Sequence, residues 1–150
     1  MSANTSITAT PVVPESWQRG RTATIGLWVA SIALAVPVGF GGVAKLTGDP
    51  QMVDMFTTIG AGQGLRVLVG VLEIAGALGL LLPLAAGRLG RMARPLAGLA
   101  AFGLVLLLIG AAVTNVAVLG TSPVLPLILL ALAAAVVTIR RRELRALIAR

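Results

Sequence analysis

Four long apolar runs dominate the chain, at 24–44, 65–85, 95–119 and 122–139. Each is long enough to cross roughly 30 Å of hydrocarbon as a helix. None alternates apolar with polar residues as the wall of a closed barrel would, and lipid offers the backbone no other hydrogen-bond partners. The pattern therefore predicts an all-α protein, a four-helix transmembrane bundle occupying 24–140. Residues 1–23 are rich in Ser, Thr and Pro near their start and lack apolar periodicity, as expected of a disordered tail. Residues 141–150 form a basic tail in which Leu144, Leu147 and Ile148 share one helical side, suited to an extension of the fourth helix along an anionic surface.

Proline and glycine mark the joints. Pro37 lies inside the first run and is expected to kink it, and Pro126 falls in the first turn or so of the fourth, where proline is tolerated. Pro83 fits the end of the second helix and Pro95 the start of the third. Around Gly120-Thr121-Ser122-Pro123 the connection is short enough to make the last two helices a tight antiparallel hairpin. The segment 46–64, LTGDPQMVDMFTTIGAGQG, is the one sizeable loop outside the tails. Asp49 is placed to cap a helix that Pro50 opens; Met52, Val53, Met55, Phe56 and Ile59 give it an apolar side, and Gly60, Gly62 and Gly64 end it. This predicts a short interfacial helix in the first external loop.

Positive charge orients the bundle. With four spans, both tails and the 86–95 loop share one side, which carries Arg19, Arg21, Arg88, Arg91, Arg94, Arg140, Arg141, Arg142, Arg145 and Arg150. The opposite side has Lys45 and Arg66. The positive-inside rule then puts both termini in the cytoplasm. Gly42-Val43-Ala44 has the small residues a signal peptidase accepts, but the preceding tail and the internal Pro37 favour an uncleaved first span. Arg88, Arg91 and Arg94 read as a cytoplasmic anchor, with a partner-docking patch as the other reading.

Composition narrows the chemistry. Residues are 57% hydrophobic and 11% charged, against about a quarter charged in soluble domains. The chain has no Cys, His or Tyr, so it offers no disulfide, thiolate or imidazole site, and neither haem nor metal is expected. The net charge of +7 belongs to the flanks of the spans, without aromatic stacking platforms, so nucleic acid is not an expected partner. The expected partners are the lipid bilayer and a second copy of the chain.

One residue breaks the apolar pattern. Glu73 stands inside LRVLVGVLEIAGALGLLLPLAAG, residues 65–87, about 12 Å along the second helix at 1.5 Å per residue. A charge at such depth costs about 2.5–3.5 kcal/mol on insertion scales, which the long apolar run can absorb. Three of its four helical neighbours, Gly70, Gly76 and Ala77 (the other is Val69), are small, so the carboxylate is expected to face other helices rather than lipid. Lys45 at the end of the first helix, Arg66 at the start of the second, and Asn115 with Thr114 near the end of the third are its candidate partners at outer-leaflet depth. A pair of this kind can simply fix helix register, or it can line a ligand or partner pocket.

Phe40-Gly41-Gly42-Val43-Ala44-Lys45-Leu46, then Phe56 and Gly60, then Gly70-Val71-Leu72-Glu73-Ile74-Ala75-Gly76-Ala77 with Leu80-Leu81-Leu82-Pro83, resemble the DoxX family, in particular its DoxX-like branch. The resemblance covers about 24–140 and rests on a G-x-x-K-L ending the first helix and a G-x-x-E-x-x-G-A in the second. It implies a small four-helix bacterial membrane protein and a place in membrane oxidoreductase assemblies, with redox proteins as partners, since some relatives are subunits of a thiosulfate:quinone oxidoreductase or of complexes that counter oxidative and thiol stress. Lys45 and Glu73 match the family pattern. Similar proteins often have His after the Thr near the end of the third helix; here Asn115 follows Thr114, which speaks against a proton-transfer or metal role there.

Two functions from different classes follow. One is an accessory or anchoring subunit of a membrane oxidoreductase assembly, without a catalytic constellation of its own, whose polar pocket takes a quinone-like or lipid-like molecule. The other is a proton-coupled small-molecule transporter in which Glu73 exchanges a proton for a cation. Small multidrug exporters work with one membrane glutamate, but theirs is in the first helix with aromatic rings beside it. Here the first span has no acid, and aromatic residues are 3% of the chain.

Overall fold

A computed structural model describes residues 15–84 and 87–148. It has α1 (Glu15–Thr47), α2 (Pro50–Thr58), α3 (Gly62–Leu81), α4 (Gly87–Ala117) and α5 (Val124–Ile148), with a 3₁₀ turn at Leu82–Leu84 after α3. No strand occurs among the described residues. Four helices are long and apolar enough to cross a membrane, over Thr24–Thr47, Gly62–Leu84, Pro95–Ala117 and Val124–Arg141.

The four spans agree closely with the apolar runs, but the helices outrun them. α1 begins at Glu15, inside the segment expected to be a tail, while 1–14 lie outside the described residues. α4 begins at Gly87, so Pro95 lies within it rather than at its start. Hydropathy marks where the solvent changes, whereas a helix stops only where its backbone bonds stop. The basic segment around Arg88 and Arg91 can stay helical beyond the apolar stretch. α1 likewise passes through Pro37 without ending, as membrane helices can when neighbours support the freed carbonyl.

Helix α2 forms where the turn chemistry predicts it. Asp49 Oδ1 accepts from Gln51 N at 3.0 Å, and Pro50 opens the helix. Phe56 is its buried residue. Gly48, Gly60 and Gly62 flank it at φ of 75°, 70° and 73°, which permit the sharp reversals into and out of so short a helix.

The spans close into a ring. α1 packs on α3, α3 on α4, α4 on α5, and α5 returns to α1; the backbones of the diagonal pairs stay further apart among the described residues. The core is built from one stripe of each span: Leu34, Ala35 and Val38 of α1, Ala77 and Leu80 of α3, Ala101, Leu104 and Leu108 of α4, and Ala133 and Val136 of α5. Large apolar side chains such as Ile25, Phe40, Leu78, Leu99 and Val113 point outward, as they would toward acyl chains.

Close helix contact depends on missing side chains. A Cβ on Gly42 would lie 2.8 Å from Ile74 Cγ1 and 2.9 Å from the Gly70 carbonyl; one on Gly70 would lie 3.0 Å from the Gly42 carbonyl. Gly76 and Gly79 admit α4 in the same way: a Cβ on either would stand 2.7 Å from a methyl carbon, of Leu104 for Gly76 and of Ala100 for Gly79. Small residues let helices approach until van der Waals packing can hold them, which matters where lipid removes the hydrophobic drive for association. Gly42→Ala is expected to lower the melting temperature in detergent, with an overpacking cost of about 1–3 kcal/mol. Gly110→Ala, whose Cβ meets nothing within 4 Å, is expected to leave it unchanged or slightly raised. Equal melting of the two variants would show that the Gly42–Gly70 contact does not hold α1 on α3.

Candidate functional site

Glu73 faces α1, where Lys45 Nζ donates to both of its oxygens, at 2.8 Å to Oε2 and 3.1 Å to Oε1. A third, longer bond runs from Nζ to the Gly41 carbonyl at 3.4 Å. The geometry follows from the helix crossing. Gly42 lies against Gly70, Glu73 and Ile74, and Lys45 one turn further along lies against Gly70. The lysine therefore reaches back along its own helix to a carboxylate about one turn below it. Gly41 leaves room beneath the pair, since a Cβ there would be 3.6 Å from both Glu73 Oε2 and Lys45 Nζ. The two side chains are 14% and 15% exposed, so the pair is mostly buried and keeps a small accessible surface.

The small neighbours of Glu73 serve two different helices. Gly70 and Ala77 face α1, with Ala77 Cβ 3.6 Å from where a Cβ on Gly39 would be. Gly76 instead faces α4. Glu73 thus stands on the α1 side of α3.

The remaining candidates are not gathered around the carboxylate. Arg66 shares the face of Glu73 two turns away, but its Nε donates to Gln63 Oε1 at 2.6 Å. Its Nη1 is buried without a hydrogen-bond partner. Thr114 Oγ1 donates to the Gly110 carbonyl at 2.8 Å, and Asn115 Nδ2 to the Ala111 carbonyl at 2.8 Å. Asn115 Oδ1 accepts from Thr121 Oγ1 at 2.7 Å, and the Asn115 carbonyl from Thr121 N at 2.9 Å. These bonds, with Gly120 at φ 58°, fasten the α4–α5 hairpin. Depth explains the separation. Gly76 lies opposite Leu104 and Gly79 opposite Ala100, so Glu73 is level with about residue 107 of α4. Asn115 is roughly eight residues, or about 12 Å, nearer the hairpin. Shared position near a helix end therefore does not bring Asn115 and Thr114 to the acid.

The sequence groups Arg140 with the flanking cations, yet it is 2% exposed. The available signal is its register: it follows Ala133 and Val136 by seven and four residues, and both of those are fully buried.

No site for a metal arises from clustered His, Cys, Asp or Glu among the described residues. What the Lys45–Glu73 pair can do chemically is present a hydrogen-bond acceptor and a cation side by side at the seam of two membrane helices. Such a fold and site define a multi-pass helical membrane protein with an ion pair buried between its first two spans. The sequence profile of the DoxX-like family matches residues 29–137, and the chain belongs to that family. No curated protein and no solved structure matches it.

Breaking the pair from one side is expected to cost more than replacing it. Lys45→Met leaves a carboxylate without its cation, and a loss of about 3 kcal/mol is expected. Combining Lys45→Met with Glu73→Leu should recover most of it. Melting temperatures of the two single variants and the double variant, in one detergent, measure the coupling; additive losses would show that the two side chains do not stabilise one another.

Proposed function

We propose that the protein is a non-catalytic accessory or anchoring subunit of a membrane oxidoreductase assembly. In this reading it sits in a bacterial inner membrane with both termini cytoplasmic and α2 at the outer interface. The Lys45–Glu73 pair then lies at outer-leaflet depth and receives the head of a quinone-like or lipid-like molecule. The observation that carries the reading is the partly open ion pair, with donor and acceptor adjacent on a bundle otherwise faced with apolar side chains. A quinone carbonyl can accept from the ammonium there, and a lipid hydroxyl can also donate to the carboxylate. Family membership supports the assembly role, as does a chain without thiol or imidazole groups to carry electrons or protons itself. The same geometry weakens the transporter reading: both carboxylate oxygens are held by Lys45, whereas a proton–cation exchanger needs a carboxylate it can release.

The test compares wild type with Glu73→Gln, expressed in the native membrane and purified in mild detergent. Wild type is expected to retain a quinone or lipid and redox proteins, identified by mass spectrometry. Glu73→Gln is expected to retain about tenfold less of the small molecule, the loss of one charge-assisted contact. Identical recovery from both would remove the site reading, and loss of proton-linked cation flux in Glu73→Gln vesicles would establish the transporter instead. Orientation is checked separately. The chain has no cysteine, so Asp54→Cys is expected to react with an impermeant maleimide added outside the inner membrane; protection until the membrane is opened would reverse the topology.

A further inference from the structure

The α2 end of α3 carries a group that the Lys45–Glu73 pair does not use. Arg66 holds its guanidinium back toward the first turn of its own helix through the 2.6 Å bond to Gln63 Oε1. Nη1 is buried there and has no hydrogen-bond partner. A guanidinium nitrogen in that state lacks an acceptor oxygen, and the natural complement of the planar fork is a phosphate or carboxylate.

The surrounding helix end has the matching polarity. α3 is a helix of 20 residues whose N-terminus has no side-chain cap. Its opening residues Gly62 and Gly64 have nothing within 4 Å of where a Cβ would stand, so no neighbouring side chain crowds that face of the turn. An uncapped helix N-terminus favours an anion through both its free donors and its dipole. The span begins at Gly62, which puts this turn at the depth of lipid headgroups.

A short helix, α2, stands beside it. Gln63 Nε2 donates to the Val53 carbonyl at 3.3 Å and to Thr57 Oγ1 at 3.2 Å, so the residue that holds Arg66 also holds α2. The neighbouring carboxylates are engaged elsewhere or turned outward: Asp49 caps α2 through Oδ1, and Asp54 is exposed. Glycines at positive φ lie on both sides of α2, at Gly48, Gly60 and Gly62.

We propose that Arg66 and the N-terminal turn of α3 form a binding site for a phosphate group, and that α2 is the flap that lifts to admit it. The phosphate is that of a lipid headgroup or free inorganic phosphate, which share the chemistry of recognition. When it binds, Nη1 donates to a phosphate oxygen, and the amides of the first turn take a second. The Gln63 bonds to α2 lengthen or break as the guanidinium turns. This site stands two turns from Glu73, so its failure leaves the test of the ion pair untouched.

The experiment uses the full chain in detergent and native mass spectrometry. Phosphatidylglycerol and diacylglycerol are offered in equal amounts, and inorganic phosphate is added as competitor. Wild type is expected to retain phosphatidylglycerol about tenfold more than diacylglycerol, and Arg66→Met to lose that preference. Arg66→Lys, which keeps the charge but not the fork, is expected to retain part of it. Displacement by millimolar phosphate assigns the site to the free ion; resistance to it assigns the site to the lipid. A fluorophore on Asp54→Cys is expected to change its emission when the phosphate ligand binds. Equal retention of the two lipids by wild type, without a response to inorganic phosphate, overturns the proposal whether or not Arg66→Met folds. So does an unchanged preference in a folded Arg66→Met, and a silent fluorophore during binding removes the flap.

Discussion

The close contact of Gly42 with Gly70 is the constraint on which the first half of the bundle depends. In lipid, apolar side chains gain little by leaving one hydrocarbon environment for another, so helices associate through packing and polar contacts. Two glycines facing each other bring the backbones of α1 and α3 together. That approach is also what places the Lys45 ammonium within 2.8 Å of the Glu73 carboxylate. A wider crossing would leave both charges in a low-dielectric medium at a separation where neither compensates the other. Packing and electrostatics are therefore one device here, and the ion pair cannot be considered apart from the glycines that set its distance.

The second seam works differently. Gly76 and Gly79 receive Leu104 and Ala100, with no charge at the contact, so α3 meets α4 by shape alone. At the far side of the ring, Asn115 and Thr121 fix the α4–α5 turn by hydrogen bonds rather than by close helix approach. Polar residues in the described part of this bundle thus have distinct tasks: a paired charge at the first seam, turn closure at the hairpin, and the attachment of α2 through Gln63.

α2 connects these local arrangements to the proposed functions. It joins the end of α1, just past Lys45, to the start of α3, just before Arg66, and left-handed glycines stand on both sides of it. Its Phe56 is buried, whereas Gln51, Asp54, Thr57 and Thr58 remain exposed. Half-buried Met52, Val53, Met55 and Ile59 flank Phe56, and Gln63 ties the helix to α3 through the Val53 carbonyl and Thr57. The proposed phosphate site lies at this end, beside α2.

The number of spans, their limits within a few residues, the capped helix after Asp49 and the short hairpin were all legible in the chain. Each depends on local properties: apolar length, turn residues and cap chemistry. Glu73 was recognisable as a buried acid for the same reason, because a lone carboxylate among small neighbours has little choice of direction. Which cation answers it was not legible. Lys45, Arg66, Asn115 and Thr114 all lie near helix ends by sequence, but the register between helices is set by which glycine meets which, and this is a property of the assembled bundle. That register brought Lys45 to the acid and placed Asn115 about 12 Å nearer the hairpin at 1.5 Å per residue; Arg66, on the same helix as Glu73, stays two turns away whatever the register. The burial of Arg140 was likewise decided by the rotation of α5 within the ring, which turns the face carrying Ala133 and Val136 inward and the arginine with it. Hydropathy reports depth and length; only close packing fixes rotation and register, and the chemistry of the site follows from those two.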